Sequence, residues 1–239
     1  MADIGGPLSI EDMKKEVACS ALDFVEPGSV IGVGSGTTTW AFVEALAEGP
    51  VGVAGAVAAS DETARRLTAI GIPVFDFSPE TTLNLYVDGA DQVDMSGRAI
   101  KGGGAAHTRE KALASVSEYW VCIVDATKVV RALQDATIPL EVLPEAVDFV
   151  RDALLRLGAS VVVRDGVLSD AGNPVLDACG LSLADPNELE ETLDAIPGVV
   201  GNGLFARRRA DLILVGRADG GVGRIVPNRE QAERPLERR

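Results

Sequence analysis

Hydrophobic positions along the chain alternate between short continuous runs and stretches with helical spacing. Apolar residues recur at roughly helical spacing from Ser9 to Val25, with Ser9 placed to cap that helix. The continuous runs predict buried strands at residues 29–33, 51–59, 72–76, 83–88 and 120–125, and helical spacing predicts helices at 40–46, 61–70 and 108–117. Strands that alternate with helices predict a parallel, doubly wound α/β sheet of Rossmann-like type.

The pattern changes near Pro139. Strands at 140–142, 160–164 and 175–181, helices at 146–157 and 188–196, and a turn at 164–166 predict a small α+β unit. The run 212–215 predicts a last buried strand that returns to the first sheet. We therefore place one domain at residues 1–135 plus 206–239 and an inserted unit at 136–205. The tail 227–239 is polar, as in disordered segments.

Composition and charge narrow the class of protein. Hydrophobic residues make up 46% of the chain and the net charge is −14. A surface this acidic repels polyanions, so we expect neither nucleic acid nor an anionic membrane as a partner. The chain shows no signal-like N-terminus and no run approaching 18 apolar residues, which predicts a cytoplasmic protein.

The cysteines and the histidine give no sign of a metal or redox site. Cys19, Cys122 and Cys179 are far apart among apolar neighbours and are expected to be buried free thiols. No C-x-x-C motif occurs, and His107 is the only histidine. A zinc site, a redox pair and a Ser-His-Asp triad are therefore not expected.

A glycine- and hydroxyl-rich turn, Gly32-Val33-Gly34-Ser35-Gly36-Thr37-Thr38, follows the first predicted strand. It is either an anion site at a helix start or a tight turn with a Ser/Thr N-cap. The dinucleotide-binding motif G-x-G-x-x-G requires a glycine where this chain has Thr37, and a P-loop requires Gly-Lys-Ser/Thr, which is absent. The hydroxyls of Ser35, Thr37 and Thr38 better suit a terminal phosphate.

Two carboxylates, Asp88 and Asp91, follow another apolar strand in Asp88-Gly89-Ala90-Asp91. They are predicted at the carboxyl end of the sheet, where open α/β folds hold ligands, although either one alone could be a turn residue or a helix cap. Asp94 is expected to be solvated. Asp76 ends the preceding predicted strand and can line the same edge.

The segment from Lys101 to Lys111 carries three consecutive glycines: Gly102, Gly103 and Gly104. Consecutive glycines indicate a bent backbone or a close approach to a ligand, with N–H groups free to hold an oxyanion. Thr108 is a good N-cap, which puts Glu110 in the first helical turn. There the helix dipole favours an ionised carboxylate, either a general base or only a capping acid. Lys101 can supply positive charge to the same pocket.

Two further side chains are candidates for the same pocket. Lys128 follows the next predicted strand, in Asp125-Ala126-Thr127-Lys128, and is either a rim lysine or a solvated one. His107 either faces the pocket or covers the glycine loop.

These blocks, with Ile196-Pro197-Gly198-Val199-Val200, occur in the order typical of ribose-5-phosphate isomerase A, which the chain resembles from about Ile10 to Val226. The resemblance implies a Rossmann-like domain with a smaller ferredoxin-like insertion, a homodimer or homotetramer, a sugar-phosphate substrate, and no metal or organic cofactor. It implies that Glu110 is the base that interconverts ribose 5-phosphate and ribulose 5-phosphate through an enediolate. The other implied roles are ring opening or enediolate stabilisation for Asp88, Asp91 and Lys101, and phosphate or sugar contacts for Ser35, Thr37, Thr38, Lys128 and Lys14.

The chain departs from the family pattern at three places. His107 replaces a leucine, Thr37 replaces a serine, and Ala58-Ala59-Ser60 stands where the family is serine-rich. Two rival functions stay open: a sugar-phosphate-sensing module of a transcription regulator, and an NAD-dependent dehydrogenase with Asp61 as the ribose-binding acid. The acidic charge disfavours the first, and the missing third glycine disfavours the second.

Overall fold

The computed structural model describes residues 7–78 and 81–228. Within those ranges the α-helices are α1 Ile10–Ala21, α2 Thr37–Glu48, α3 Asp61–Ala69, α4 His107–Val116, α5 Val147–Arg156 and α6 Pro186–Asp194. The strands are β1 Val30–Val33, β2 Gly55–Ala58, β3 Leu83–Asp88, β4 Gln92–Asp94, β5 Ala99–Ile100, β6 Ser117–Asp125, β7 Val129–Val130, β8 Ile138–Val142, β9 Ser160–Leu168, β10 Pro174–Cys179, β11 Val199–Asn202, β12 Leu204–Phe205, β13 Leu212–Gly216 and β14 Val222–Ile225. Most of the tail predicted to be disordered lies outside the described residues.

The main sheet has six strands in the order β14-β13-β6-β3-β1-β2, and its pairings are parallel except that of β13 with β14. The prediction of a doubly wound α/β fold is confirmed, and β13 returns to this sheet beside β6 as expected. Buried aliphatic side chains and Phe42 fill the core on one face, and Tyr86 and Trp120 lie in the core on the other. The candidate site residues Ser35, Asp88 and Lys128 follow the carboxyl ends of β1, β3 and β6, which the parallel pairing brings to one edge.

The small unit follows the order β8-α5-β9-β10-α6-β11 and forms an antiparallel sheet in the order β11-β8-β10-β9. This βαββαβ order is ferredoxin-like, as the resemblance implied. The turn predicted at 164–166 is wrong, because β9 continues to Leu168. Gly166 adopts a φ of 68° within β9, and the register of the β9–β10 pair shifts between Pro174 and Leu176.

A third sheet, β12-β5-β4-β7, was not predicted, because strands of two or three residues show no periodicity. It joins strands of both predicted units, because β12, at Leu204–Phe205, pairs with β5. The exact division at 135/136 and 205/206 stays a prediction.

Two predicted strands near the edge of the main sheet are shorter than expected. The segment 72–76 makes one parallel bridge, between Val74 and Ala56, and β2 is confined to Gly55–Ala58. Pro73 has no N–H for a ladder, which limits pairing there. Asp76 lies in a groove with Ser60 and Asp61, which follow the carboxyl end of β2, and so it is at that edge of the sheet but apart from Asp91 and Glu110.

Two further expectations about single residues are wrong. Cys19 is exposed and Cys179 is half-buried, so Cys122 is the one thiol of the three that is buried as predicted. Asp94 is buried and accepts hydrogen bonds from the Ser96 and Arg98 backbones and from the Arg98 side chain. In the described part of the chain, no helix combines the length and the apolar character needed to cross a bilayer.

Candidate active site

A cavity of about 270 Å³ lies at the carboxyl edge of the main sheet. It collects residues from α1, the β1–α2 turn, the β3–β4 turn, the glycine loop, α4 and the segment after β6. Its lining includes nearly every site residue predicted from the sequence: Lys14, Ser35, Gly36, Thr37, Thr38, Asp91, Lys101, Gly102, Gly103, Gly104, Glu110 and Lys128. Asp88 is the one predicted catalytic or binding residue that does not line the cavity, because it is fully buried beneath the lining residues.

The β1–α2 turn presents an uncapped helix start to the cavity. Gly36 is the N-cap of α2 with a φ of 89°, and no side chain caps the helix, so the alternative of a Ser/Thr N-cap is wrong. Gly34 is required because a Cβ there would lie 1.8 Å from the Asp88 Cγ. Free N–H groups in the first turn of a helix, with hydroxyls beside them, form an anion site.

Two lysines line the same cavity as this helix start. The Lys14 Nζ, on α1, donates to the Thr37 Oγ1 at 2.8 Å. Lys128 ends a short 3₁₀ turn that begins where the Asp125 carboxylate accepts from the Thr127 N–H at 2.9 Å. With Lys101, three of the five lysines in the sequence line this cavity, so positive charge is concentrated there in a chain of net charge −14.

Lys101 joins the carboxylates at the other end. Its Nζ lies 2.8 Å from the Asp88 Oδ2 and 3.2 Å from the Glu110 Oε2, and it donates to the Gly89 carbonyl at 2.6 Å. Only 3% of Lys101 is exposed. Burial disfavours its charged form, but the two carboxylates outweigh burial and raise the pKa of Lys101 above its ordinary value.

Asp88 is fully buried and accepts from donors on all sides. Its Oδ1 accepts from the Ser35 and Gly89 N–H groups at 3.0 and 2.7 Å and from the Thr39 hydroxyl at 3.2 Å. Its Oδ2 accepts from the Tyr86 hydroxyl and pairs with Lys101. Burial, Asp88 and Glu110 raise the pKa of Tyr86 well above its usual range, so the phenol stays a donor. From its buried position, Asp88 thus holds Lys101 through an ion pair and the β1–α2 turn through hydrogen bonds.

Glu110 lies in the first turn of α4 as predicted, but the helix is not capped by Thr108. The N-cap is Ala106, Thr108 lies inside the helix, and the Glu110 N–H bonds the Ala106 carbonyl. The Glu110 Oε1 accepts from the Ser35 hydroxyl at 2.5 Å. Burial raises the pKa of Glu110 to about 7, against the opposing effect of Lys101, so burial outweighs the ionisation that the helix start was expected to favour.

The glycine loop follows β5 and lies against the small unit. Gly102 adopts a φ of 102°, and a Cβ there would lie 2.6 Å from the Pro139 Cγ. The Gly103 N–H donates to the Asp91 Oδ2 at 2.9 Å. Asp91 is exposed on the cavity side, in contrast to Asp88. Of the two predicted carboxylates, Asp91 is therefore the one that a ligand in the cavity can touch.

His107 covers the glycine loop from the far side. Its Nε2 accepts from the Glu141 N–H at 3.1 Å, and a Cβ on Gly102 would lie 2.8 Å from its Nδ1. The residue is fully buried, and burial lowers the pKa of His107 to about 4. It does not line the cavity, so its side chain packs the loop.

Two contacts were not foreseen from the sequence. Ser35 was predicted to hold a phosphate, yet its hydroxyl donates to Glu110. Tyr86 carried a usable signal, since it lies two residues before Asp88 on the same strand and so faces the same side. Among the described residues, no three His, Cys, Asp or Glu side chains are grouped so that they could hold a metal ion.

Comparison with known proteins agrees with this geometry. The family model described as ribose 5-phosphate isomerase A (phosphoriboisomerase A) matches residues 55–220. The ribose 5-phosphate isomerase A of Neisseria gonorrhoeae is 36% identical, with a TM-score of 0.90 over 93% of this chain and 99% of that one. The enzyme of Methanocaldococcus jannaschii is 35% identical, with a TM-score of 0.85 over 91% and 100%.

A third solved structure is a D-ribose-5-phosphate isomerase in complex with phospho-erythronic acid. It is 34% identical, with a TM-score of 0.87 over 92% of this chain and 100% of that one. The matched family model spans more than half of the sequence, and these relatives exceed 30% identity over almost its full length. The chain belongs to the ribose 5-phosphate isomerase A family.

Proposed function

We propose that the protein interconverts D-ribose 5-phosphate and D-ribulose 5-phosphate in the non-oxidative pentose phosphate pathway. The observation that carries this proposal is a buried glutamate with a pKa near 7, beside a buried lysine, in a cavity whose opposite end is an uncapped helix start with two lysines. One end suits proton transfer and the other suits a phosphate. Membership of the isomerase family supports the same reaction.

The phosphate end holds the substrate by charge. The first N–H groups of α2, the hydroxyls of Thr37 and Thr38, and the ammonium groups of Lys14 and Lys128 surround the phosphate. Lys14 already donates to Thr37, so α1 and the turn act as one wall. This arrangement directs the sugar carbons toward Glu110.

At the other end, Glu110 takes the proton from C2 of the open-chain aldose. The C2–H electrons form the C1–C2 double bond of the enediolate, and the carbonyl oxygen on C1 gains the negative charge. Lys101 and the loop N–H groups stabilise that oxygen, which is worth roughly 3–4 kcal/mol for a well-placed donor. Glu110 then returns a proton to C1, and the proton on O2 passes to the negative oxygen on C1, so that O2 becomes the ketone and the C1 oxygen becomes a hydroxyl. The Ser35 hydroxyl holds the carboxylate in position for both transfers.

Ring opening needs a group that exchanges a proton with the sugar hydroxyl. We assign it to Asp91, since Asp91 is exposed to the cavity and Asp88 is buried with its oxygens occupied. Asp88 instead keeps Lys101 charged and in place. An Asp91→Asn variant should therefore lose more rate on the cyclic sugar than on a substrate that is already open-chain.

The proposal is tested by incubating purified protein with ribose 5-phosphate, without added metal or nucleotide, and measuring ketose formation. Conversion to ribulose 5-phosphate is expected. Binding of ribose 5-phosphate without conversion would favour the sugar-phosphate-sensing module and overturn the enzyme proposal. Reduction of NAD in the presence of a sugar substrate would favour the dehydrogenase.

Assembly, location and the two-unit division extend the proposal. We expect a homodimer or homotetramer in the cytoplasm, a catalytic unit of residues 1–135 plus 206–239, and no nucleic-acid or membrane partner. Light scattering of the purified protein tests the first expectation, and a monomer at micromolar concentration would contradict it.

A further inference from the structure

Arg164 connects the small unit to the glycine loop of the cavity. It lies on β9 and its side chain is mostly buried. Its Nε and Nη2 donate to the two carboxylate oxygens of Asp177, on β10, at 2.7 Å each. Such a two-point contact fixes the plane of the guanidinium group and leaves Nη1 as the nitrogen that can serve another partner.

The Nη1 of Arg164 donates to the carbonyls of Gly102 and Gly103, at 2.9 and 3.1 Å. In a planar trans peptide the N–H points away from the preceding carbonyl. Directing the Gly102 carbonyl at Arg164 therefore turns the Gly103 N–H toward Asp91, which it reaches at 2.9 Å. Directing the Gly103 carbonyl the same way turns the Gly104 N–H to the opposite side.

The glycines at these positions give the loop no stiffness of their own. Gly104 has open space around a Cβ, and Gly102 has a φ that most residues avoid. The orientation of both peptide groups is therefore imposed by what holds their carbonyls. Gly102 also accepts from the Ala105 N–H, but the Gly103 carbonyl has Arg164 as its donor.

We propose that Arg164, anchored by Asp177, is a positioning residue for the isomerase reaction: it sets the peptide orientation of the glycine loop so that the Gly103 N–H holds Asp91 and the Gly104 N–H is left to donate to a ligand in the cavity. Arg164 does not line that cavity, so it acts through the loop rather than on the substrate. The expected effect of Arg164 on turnover rests on the proposed function. Its expected effect on the order of the glycine loop rests on the geometry alone.

Other contacts hold the small unit against the main one, so losing Arg164 need not separate them. The Lys111 Nζ donates to the Glu190 Oε1 at 2.6 Å and to the Leu204 carbonyl at 2.7 Å. His107 accepts from the Glu141 N–H on the same face. The effect of Arg164 is accordingly expected in the loop, not in the packing of the two units.

The kinetic test compares Arg164→Lys, Arg164→Met and the control Arg151→Ala. Arg151 pairs with Asp148 on the exposed face of α5 in the same unit, so its loss measures a general effect on that unit. Displaced donors near the reacting atoms can cost about 100-fold. We expect kcat for Arg164→Met to fall by about that factor, with KM and inhibition by inorganic phosphate within about threefold of wild type. The single ammonium group of lysine cannot make the two-point contact with Asp177 and also bond the loop carbonyls, so Arg164→Lys should regain little of the lost kcat.

Amide hydrogen exchange of residues 102–104 gives a readout that does not need activity. Exchange should accelerate about tenfold or more in Arg164→Lys, as expected for loss of a charged hydrogen bond, and stay unchanged in Arg151→Ala. If wild-type protein fails to isomerise ribose 5-phosphate, the proposed function is wrong, while the exchange result still decides whether Arg164 holds the loop. Unchanged loop exchange, or a wild-type kcat despite faster exchange, would overturn the inference, as would a loss confined to KM.

Discussion

The two ends of the cavity are built in opposite ways. At the reaction end, Asp88, Lys101 and Glu110 are at most 3% exposed, and each touches at least one of the others or a shared partner. At the phosphate end, Thr37 is exposed and Lys128 is half-buried, with a helix start left uncapped. A buried network of fixed charges is arranged in advance to stabilise the negative charge that develops on the enediolate. An open cationic rim suits the phosphate charge, which the substrate carries in the ground state and in the transition state alike.

The largest expected effect is at the reaction end. Glu110→Gln keeps the shape of the side chain but removes the base, and we expect kcat to fall by roughly 10²–10⁴ with KM nearly unchanged. Glu118→Gln, at an exposed position on β6, is the matched control and should keep wild-type turnover. Steady-state kinetics decide the matter, and a Glu110→Gln enzyme with near-normal kcat would remove Glu110 from this role.

Lys101→Ala should act on the same end through charge stabilisation. Removing one well-placed donor costs about 10²–10³ in kcat, and KM should change little by comparison. The variant also leaves Asp88 and Glu110 without their cation, so the free energy of unfolding should fall by roughly 3–5 kcal/mol. Denaturation and kinetics are measured on the same preparation. A rise in KM at constant kcat would show that Lys101 belongs to the binding end instead.

Lys128→Ala should weaken phosphate binding at the open end of the cavity and leave the reaction end unchanged. A lost charged hydrogen bond is worth about 1.5–3 kcal/mol, so KM for ribose 5-phosphate should rise roughly 10- to 150-fold while kcat changes little. Unphosphorylated ribose should be almost indifferent to the substitution. Lys15→Ala, one residue from Lys14 and exposed on α1, is the control. Loss of kcat at unchanged KM would contradict the division between the two ends.

The pH dependence sharpens the comparison, because burial raises the pKa of Glu110 to about 7. The base is active when ionised, so kcat/KM should rise with pH and be about tenfold lower at pH 6 than at pH 8. The Ser35 hydrogen bond opposes the shift, so Ser35→Ala should move the midpoint to higher pH. A midpoint that Ser35→Ala leaves in place would assign the titration to another group.

The smallest expected effect is that of chelation. None of the steps assigned to Glu110, Lys101 and Asp91 uses a metal ion, so excess EDTA should leave kcat and KM within experimental error. Activity that disappears with EDTA and returns with one particular divalent cation would show that the reaction end is incomplete as described.

Sequence patterns predicted the main sheet well because its strands are continuous apolar runs. The strand 83–88 and the run 212–215 were found almost to the residue, since a strand buried on both faces leaves an unambiguous signal. Strands β4, β5, β7 and β12 were missed because two or three residues carry no period. The turn expected at Gly166 was wrong because glycine also marks irregular points inside strands.

The site itself was predicted in composition but not in its internal contacts. Asp88 was placed at the carboxyl edge by its position after a predicted strand, and Lys101 and Glu110 were placed in the same pocket by the three glycines between them. That Asp88 is sealed behind the wall and Asp91 is open depends on the Gly34 and Tyr86 packing, which no local pattern reveals. The pKa of Glu110 was expected to be low because the helix start was visible in the sequence, whereas burial was not.

The most direct test of the account is the fate of the transferred hydrogen. Ribose 5-phosphate is equilibrated with the protein in D₂O over many turnovers, and deuterium at C2 of the aldose and C1 of the ketose is followed by NMR. Because the proton passes through the Glu110 carboxyl, whose pKa lies near 7, it exchanges with solvent, and deuterium should accumulate at C2 and at one of the two C1 positions. Glu110→Gln should slow that accumulation as much as it slows turnover. Full equilibration of the two sugars with no deuterium at either carbon would contradict the account, because hydrogen would then move directly between the carbons.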